Sequence, residues 1–266
     1  MLICHLSDLH IRPPGQLAYQ RVDTAAHLQR CVRRIGSLVP QPDAVIVTGD
    51  LTDRGAPEEY EHLLALLAPV GPPIYVIPGN HDDRTSMRRA LARFALWQDS
   101  DEFLQYTLAL GPLRLIALDT VAPGGAGGNL CPTRLAWLEE QLSRLRSFPV
   151  VILMHHPPFK TGIRSMDSVG LRVAYPLEPI ISRHPNVERI LCGHVHRTIL
   201  RRFGGTIAVT CPSPAHQVAL DLDADVVPRF VMEPPGYLMH RWSDDGGFTT
   251  HAAVIGEYAG PYPFYE

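Results

Sequence analysis

The sequence predicts an α/β fold, and three observations support this prediction. Short apolar runs such as Ala44–Val47 and Val150–Met154 are typical of strands that are buried on both faces of a sheet. Segments with apolar residues at helical spacing alternate with these runs along the chain. Glycine and polar residues follow the strands directly, as at Gly49-Asp50, and open α/β sheets place their ligand sites at that edge.

Length and composition fit a globular chain that forms one α/β domain, with or without an appendage. The 266 residues include 45% hydrophobic and 19% charged residues. A net charge of −3 provides no electrostatic reason to expect binding to duplex nucleic acid or to an anionic membrane. No apolar run reaches membrane-spanning length, and the N-terminal residues lack the basic segment of a signal peptide.

The cysteines indicate a reducing compartment. Five of them are scattered along the chain, and no C-x-x-C pair occurs. An odd number without regular spacing favours reduced thiols, so we expect a cytoplasmic protein.

The first part of the chain predicts three strands and two helices. The first helix has Asp23 or Thr24 as its N-terminal cap and ends before Pro40. Pro57 opens the second helix, where Glu58 in the first turn favours the helix dipole. The predicted elements are strands at 1–6, 44–47 and 74–77 and helices at 24–39 and 57–68.

The rest of the sequence predicts further strands that alternate with helices, and its hydrophobic periodicity weakens after residue 216. The glycine-rich segment 121–129 is predicted to be irregular, either a mobile loop over the site or a surface linker. Predicted helices lie near 85–97 and from Pro132, with a short one before residue 189. Predicted strands are 103–109, 113–118, 150–154, 189–192, 198–203 and 206–210, followed by short hairpin strands at 218–222, 237–241 and 252–255.

Polar motifs follow five of the predicted strands. In chain order they are D-x-H, G-D-x-x-D-R-G, G-N-H-D, H-H-P-P and G-H-x-H. A lone D-x-H would more often be an incidental turn, but five such motifs at strand ends are hard to explain by core packing. Their oxygen and nitrogen donors include no thiolate, which suits metal ions such as Fe, Mn, Zn or Co. The donors are numerous enough for two ions: Asp8, His10, Asp50, Asn80, His155, His194 and His196.

With these motifs, residues 1–211 resemble the calcineurin-like metallophosphoesterase superfamily. His216-Gln217-Val218, Met239-His240-Arg241 and Tyr258-Ala259-Gly260-Pro261 extend the match towards the bacterial class III cyclic nucleotide phosphodiesterases, and especially towards the glycerophosphodiesterases of that group. The resemblance implies a four-layer α-β-β-α sandwich of two mixed sheets with a small C-terminal β appendage. It implies a catalytic domain at 1–211 and an appendage at 212–266 that rims the pocket and pairs subunits.

The resemblance also implies a two-metal centre. Asp8, His10, Asp50 and His196 would hold the first ion, and Asp50, Asn80, His155 and His194 the second, with Asp50 bridging. His155 is preferred over His156 because the family pattern is His-x-Pro. A metal-bridging hydroxide would attack phosphorus in line.

Several further residues would act on the substrate. His81 would bind phosphate or protonate the leaving alkoxide, and Asp53 could orient His81. By resemblance, Asn80 and His216 line the substrate pocket, and Arg54 matches a phosphate-binding arginine of the protein phosphatases. Close relatives often lack the Asp53-Arg54 pair, which leaves open whether monoesters or diesters are preferred.

The leading hypothesis is a phosphodiesterase that acts on small diesters, either cyclic nucleotides such as 3',5'-cAMP or glycerophosphodiesters. A phosphomonoesterase is the alternative enzyme. A nuclease is disfavoured because no basic groove is evident, and a non-catalytic binding module would be expected to lack some ligands. The aromatic C-terminal segment predicts a homodimer or higher homo-oligomer, with packing on its own domain as the rival interpretation.

Overall fold

The computed structural model describes residues 1–94, 97, 102–172, 176–223 and 227–265. Within these ranges, no helix is both long and apolar enough to cross a membrane. The strands are β1 Leu2–Leu6, β2 Ala44–Val47, β3 Ile74–Val76, β4 Tyr106–Leu110, β5 Leu113–Leu118, β6 Gly128–Asn129, β7 Val150–Met154, β8 Leu171–Arg172, β9 Val187–Cys192, β10 Leu200–Phe203, β11 Thr206–Thr210, β12 Gln217–Val218, β13 Phe230–Val231, β14 Gly236–Ser243 and β15 Gly247–Val254. The helices are α1 Thr24–Gly36, α2 Pro57–Leu67, α3 Arg84–Ala90, α4 Pro132–Arg144, α5 Arg164–Ser168 and α6 Leu177–Ser182, with a 3₁₀ turn at Ala92–Phe94.

Two mixed sheets form the centre of the fold. The first has the order β15-β14-β1-β2-β3, in which β1, β2 and β3 are parallel and β14 is antiparallel to β1. The second has the order β10-β11-β9-β7-β5-β4, with β5, β7, β9 and β11 parallel. Parallel strands end at the same edge of their sheet, so the residues after β1, β2 and β3 lie side by side.

The two faces of the second sheet pack against different layers. Leu115 and Leu153 belong to the large core that also contains the first sheet, α1 and α2. Ile116 and Ile152, one residue along each strand, belong to the core that contains α4 and α6. This alternation follows from the two-residue period of a strand. It confirms the predicted α/β fold of two mixed sheets flanked by helices.

The local signals locate the starts of the first four helices to within one residue, whereas α1 ends at Gly36, three residues before the predicted end. Asp23 caps α1 by accepting a hydrogen bond from the Ala26 N–H at 2.9 Å. The helix predicted near 85–97 is shorter, since α3 ends at Ala90 and a 3₁₀ turn follows; residues 95 and 96 lie outside the described residues.

The C-terminal hairpin extends the first sheet. Strand β14 pairs with β1, with His240 opposite Ile3, and β15 pairs with β14. The smaller pair β12 and β13 lies outside both large sheets. The domain boundary after residue 211 therefore stays a prediction, and residues 236–254 complete a sheet that begins at the N-terminus.

The aromatic tail after β15 is exposed in the single chain. Tyr258, Tyr262, Phe264 and Tyr265 have between 64% and 98% of their surface accessible. The rival interpretation, in which the tail packs on its own domain, finds no support in this arrangement.

Candidate metal centre

The ends of β1, β2, β3, β7 and β9 bring the predicted ligands together. Asp8 and His10 follow β1, Asp50 follows β2, and Asn80 follows β3. In the second sheet, His155 follows β7 and the pair His194 and His196 follows β9. All except Asn80 are buried, so their polar atoms face one another and not solvent.

The set predicted for the first ion is compact. His10 Nε2 lies 3.1 Å from His196 Nε2 and 3.6 Å from Asp50 Oδ2. His196 Nε2 lies 3.5 Å from Asp8 Oδ1. These four side chains can therefore offer donor atoms to one small volume.

The set predicted for the second ion adjoins it. His155 Nε2 lies 3.1 Å from Asn80 Oδ1 and 3.4 Å from Asp50 Oδ2. His194 Nδ1 lies 3.0 Å from the same Asn80 oxygen. Since Asp50 Oδ2 is close to one histidine of each set, Asp50 stands where a bridging carboxylate would be needed.

Hydrogen bonds to main-chain carbonyls orient three of the histidines. His155 Nδ1 donates to Thr48 O at 2.7 Å, His194 Nε2 to Val169 O at 3.0 Å, and His196 Nδ1 to His216 O at 3.0 Å. In a neutral imidazole the other nitrogen then carries a lone pair. Such a contact is the usual way to orient a metal-binding histidine.

These orientations fit bound cations. When His155 and His194 are both neutral, their lone pairs both point at Asn80 Oδ1, itself an electron-pair donor. Donor atoms without a proton between them repel, and a shared cation removes that repulsion. The donor set of imidazole, carboxylate and amide oxygen is compatible with Fe, Mn, Zn or Co and does not select among them.

The backbone is strained at the predicted ligands. Among the described non-glycine residues, seven have positive φ, and five of these are predicted ligands: Asp8 (56°), His10 (47°), Asp50 (50°), His194 (73°) and His196 (49°). Left-handed conformations of this kind cost about 1–3 kcal/mol each and concentrate at functional sites.

The glycines of the motifs allow the strand ends to approach one another. A Cβ at Gly79 would collide with the Asp50 backbone and carboxylate, and a Cβ at Gly193 with Ser7 Oγ. Gly49 has φ of +92° and passes the His155 ring closely. The G-D, G-N-H and G-H motifs thus all need glycine for space, and Gly49 needs it for its backbone conformation as well.

The electrostatics favour an ionised Asp50. Burial raises the pKa of this carboxyl, but the charges of His155 and His81 outweigh burial and hold the pKa well below its usual range. Burial lowers the pKa of His155, but Asp50 outweighs it and raises the pKa to about 9. In the metal-free chain a proton on His155 balances the carboxylate, and a bound cation would replace that proton.

Asp53 contacts both His10 and His81, by different atoms. His81 Nδ1 donates to the main-chain oxygen of Asp53 at 2.7 Å. The Asp53 carboxylate instead lies 3.5 Å from His10 Nδ1, which has no hydrogen-bond partner among the described residues. The main chain of Asp53, and not its carboxylate, therefore holds His81, while the side chain of Asp53 faces a predicted metal ligand.

The remaining predicted substrate residues surround this centre. The His81 N–H donates to Asp50 Oδ1 at 2.9 Å, which places its ring beside the centre. The His216 ring lies 4.6 Å from that of His196, with its Nδ1 buried and unpaired among the described residues. Arg54 lies nearer the surface: 72% of its side chain is exposed, and its Nε is 3.8 Å from Asp53 Oδ2.

Two contributors escaped the sequence analysis, and a third, His156, was considered there only as an alternative metal ligand. Asp82 is buried and accepts hydrogen bonds from the N–H groups of Leu51, Thr52 and Gly79, which joins the loops after β2 and β3. Tyr19 stacks edge-on against His216 with ring centroids 5.2 Å apart. His156 anchors the glycine-rich loop. Asp82 and His156 carried a signal, as members of the motifs G-N-H-D and H-H-P-P, whereas Tyr19 carried none.

The chain matches known proteins across its whole length. Residues 1–198 match the family profile of calcineurin-like phosphoesterases. A probable glycerophosphodiester phosphodiesterase of Arcobacter nitrofigilis is 40% identical over 100% of this chain and 97% of its own. A 3',5'-cyclic adenosine monophosphate phosphodiesterase of Pseudomonas aeruginosa is 28% identical over 94% of this chain and 88% of its own.

The fold has solved counterparts at low sequence identity. A dimetal phosphatase from Danio rerio superposes with a TM-score of 0.65 at 14% identity, covering 96% of this chain and 99% of that protein. Because the profile match spans most of the chain and the Arcobacter relative is similar from end to end, the chain belongs to the calcineurin-like phosphoesterase family.

Proposed function

We propose that this protein is a dinuclear metal-dependent phosphodiesterase that hydrolyses small phosphodiesters. The observation that supports this most directly is the meeting of two donor sets at Asp50 Oδ2, 3.6 Å from His10 and 3.4 Å from His155. The relatives named as glycerophosphodiester and cyclic nucleotide phosphodiesterases point to the same reaction class.

Asp8, His10, Asp50 and His196 would hold one ion, and Asp50, Asn80, His155 and His194 the other. When bound, such ions activate water as a nucleophile and neutralise the charge of the phosphate. Metal analysis of the purified protein would identify which of Fe, Mn, Zn and Co it binds.

His81 would act on the phosphate itself. Its Nδ1–H is held by the Asp53 carbonyl at 2.7 Å, so Nε2 is the atom that can meet the substrate. From there a protonated ring donates to a phosphoryl oxygen or passes its proton to the leaving alkoxide. His216, beside His196, would line the pocket, and Arg54 would approach the outer end of the substrate.

A comparison of diester and monoester hydrolysis tests this function. The chain is stripped with a chelator, reloaded with Mn, Co, Zn or Fe, and assayed with bis-p-nitrophenyl phosphate and p-nitrophenyl phosphate. Metal-dependent turnover that favours the diester is expected. Diester hydrolysis that is unaffected by metal removal would overturn the two-metal mechanism.

A phosphomonoesterase is the second candidate, favoured by the full G-D-x-x-D-R-G motif with Arg54 at the site. Faster turnover of the monoester in the same assay would support it.

We further propose a homodimer or a higher assembly of dimers that buries the aromatic tail. Four exposed aromatics after β15 are unusual for a solvated segment, whereas interfaces favour Tyr and Phe. Truncation at Ala253 is expected to lower the solution mass to that of a monomer. A full-length chain that stays monomeric at high concentration would contradict the proposal.

We also propose a cytoplasmic location. The five cysteines are all unpaired, and four of them are buried, which suits a reducing compartment.

A further inference from the structure

Two cavities adjoin His81, which contributes to the lining of both. The first, which we term the Tyr19 cavity, has a volume of about 580 Å³ and is lined by Leu17, Tyr19 and Arg54 among others. The second, which we term the glycine-loop cavity, has about 600 Å³ and is lined by Asn80, Asp83 and residues 121–126 among others. His81 is the only residue common to both linings within the described part of the chain.

A phosphodiester has a shape that matches this arrangement. Its tetrahedral phosphorus carries two ester groups that diverge, so a phosphate held at His81 would send one group to each side. In a linear diester the two groups are separate and can fill both cavities. In a cyclic diester both ester oxygens belong to one ring system, which occupies one cavity and leaves the other empty.

We propose that the site prefers linear phosphodiesters to cyclic ones and binds one alcohol group in each cavity. This inference rests on the proposed function of the site and narrows its substrate class. Filling both cavities adds contacts to the diester that a cyclic substrate cannot make, and contacts distant from the reacting atoms contribute to catalysis.

The Tyr19 cavity has the lining of a site for a hydroxyl-bearing or anionic alcohol group. The Arg54 side chain is 72% exposed and its charge is only loosely paired, with Nε 3.8 Å from Asp53 Oδ2. Tyr19 and Gln20 also line this cavity, together with Asp53 and with Arg12, whose charge is paired with Glu59 at 2.7 Å. Both Tyr19 and Gln20 have positive φ (50° and 56°), and the loop is closed by paired hydrogen bonds between Ala18 and Val22.

The glycine-loop cavity has the opposite charge balance. The charge of Arg84 is held by Asp119, with Nε 2.7 Å from Oδ2 and Nη2 2.9 Å from Oδ1. Asp83 is exposed, and among the described residues its carboxylate has no ion-pair partner and accepts a hydrogen bond from the Ser86 N–H at 2.8 Å. A carboxylate without a paired cation on this wall favours a cationic or uncharged alcohol group.

The wall of the glycine-loop cavity is fixed at both ends of the loop. Arg84 and Arg134 donate to Val121 O at 2.8 and 3.0 Å. At the other end, His156 Nε2 donates to Ala126 O at 3.0 Å, while its Nδ1 accepts a hydrogen bond from Thr120 Oγ1 at 2.8 Å. Hydrogen bonds thus hold the loop at both ends, and one of its anchors, His156, has its ring 4.8 Å from that of the predicted ligand His155.

The tip of the loop permits a direct test by filling the cavity. A Cβ added at Gly125 meets no atom within 4 Å, and this glycine does not have positive φ, so a large side chain can be placed there without strain. Leu17, 44% exposed, offers the equivalent position in the Tyr19 cavity. The variants are Gly125→Trp with Gly125→Ala, which separates added bulk from loss of glycine, and Leu17→Trp with Leu17→Met.

The substrates are glycerophosphocholine and glycerophosphoglycerol as linear diesters and 3',5'-cAMP as the cyclic one. The unmodified chain is expected to have a higher kcat/KM for the linear diesters. Each Trp variant should lower that kcat/KM by about tenfold or more, the size of effect that pocket contacts produce. The value for 3',5'-cAMP should fall less, since the other cavity remains open to it.

A matched variant of Asp83 tests whether a cationic alcohol group binds in the glycine-loop cavity. Asp83→Asn keeps the side-chain oxygen that accepts the Ser86 N–H in the cap of α3, because Asn caps helices as well as Asp does. It should raise KM for glycerophosphocholine more than for glycerophosphoglycerol. Equal changes in both would overturn the placement of the cationic group.

Failure of this inference is distinguishable from failure of the proposed function. Equal kcat/KM for linear and cyclic diesters, or equal losses for both in the Trp variants, would overturn the two-cavity arrangement while metal-dependent hydrolysis of bis-p-nitrophenyl phosphate persists. Absence of that hydrolysis in the unmodified metal-loaded chain would overturn both.

Discussion

Removing the carboxylate of Asp53 is expected to weaken metal binding through His10. The carboxylate Oδ1 lies 3.5 Å from His10 Nδ1, an atom with no hydrogen-bond partner among the described residues. His10 Nε2 faces His196 and Asp50, so its Nδ1–H points away from the predicted ion and towards Asp53. A carboxylate in this position fixes the ring and strengthens the imidazole as a ligand.

The structure sets the size of the effect. The His10 and Asp53 side chains are only 1% and 11% exposed, so water replaces the lost carboxylate poorly. Removal of such an orienting partner typically lowers metal affinity by about 10–100-fold. This corresponds to about 1.4–2.7 kcal/mol of binding free energy. The fold should persist, because the nearby Arg12 keeps its ion pair with Glu59 at 2.7 Å.

Metal retention is the measurement. Asp53→Ala and Asp53→Asn are dialysed against increasing chelator concentrations, and the ions bound per chain are counted. Asp53→Ala should lose one ion at a lower chelator concentration than the unmodified chain. Asp53→Asn retains an oxygen that can accept the His10 N–H, so its loss should be smaller.

A role of the Asp53 side chain through His81 would give a different pattern. The observed contact to His81 uses the main-chain oxygen of Asp53, which no side-chain substitution removes. The reasoning is refuted if Asp53→Ala retains both ions as the unmodified chain does, slows diester hydrolysis as much as His81→Ala, and adds nothing in the double variant.

Three further predictions concern other groups. Asn80→Ala should lose an ion and lower diester turnover by orders of magnitude, since its Oδ1 lies within 3.1 Å of two predicted ligands; full activity with two ions would show that the assignment is wrong. His81→Ala should lower the rate by about 10²–10⁴ without changing metal content, and a p-nitrophenolate leaving group should reduce the loss only if His81 is the acid. Burial lowers the pKa of His5 to about 3 and also lowers that of His240. Because unfolded histidine titrates near 6.5, their contribution to stability is complete above about pH 6.5 and is lost as pH falls towards 3. The His5→Gln/His240→Gln double variant should show a smaller fall in unfolding free energy on acidification, measured by urea unfolding, and an unchanged slope would contradict this reasoning.

The sequence alone determined the α/β fold and the identity of the donor residues. A short apolar strand followed by glycine and a polar residue is a local pattern that can be recognised in the sequence. The residue types at Asp50, Asn80 and His155 also limit which metal ions can bind, whatever the geometry of the fold. The structure confirms the two mixed sheets and brings the predicted donors within hydrogen-bonding distances of one another.

Sequence spacing could not reveal contacts between distant segments. Nothing near Gly236–Ser243 indicates that this strand pairs with β1, because the partner lies more than 200 residues away. The same holds for His156, whose hydrogen bond to Ala126 joins segments 30 residues apart and fixes one cavity wall.

Tertiary structure also decided which atom of each residue faces the candidate metal centre. The sequence names His155, His194 and Asp53, but only the packed fold shows which imidazole nitrogen is held by a carbonyl and which faces the site. The Asp53 main chain reaches His81 while its carboxylate reaches His10, since the loops after β1, β2 and β3 meet at one sheet edge. Residue type is local chemistry, whereas the direction of a lone pair or a carboxylate depends on partners that only folding brings near.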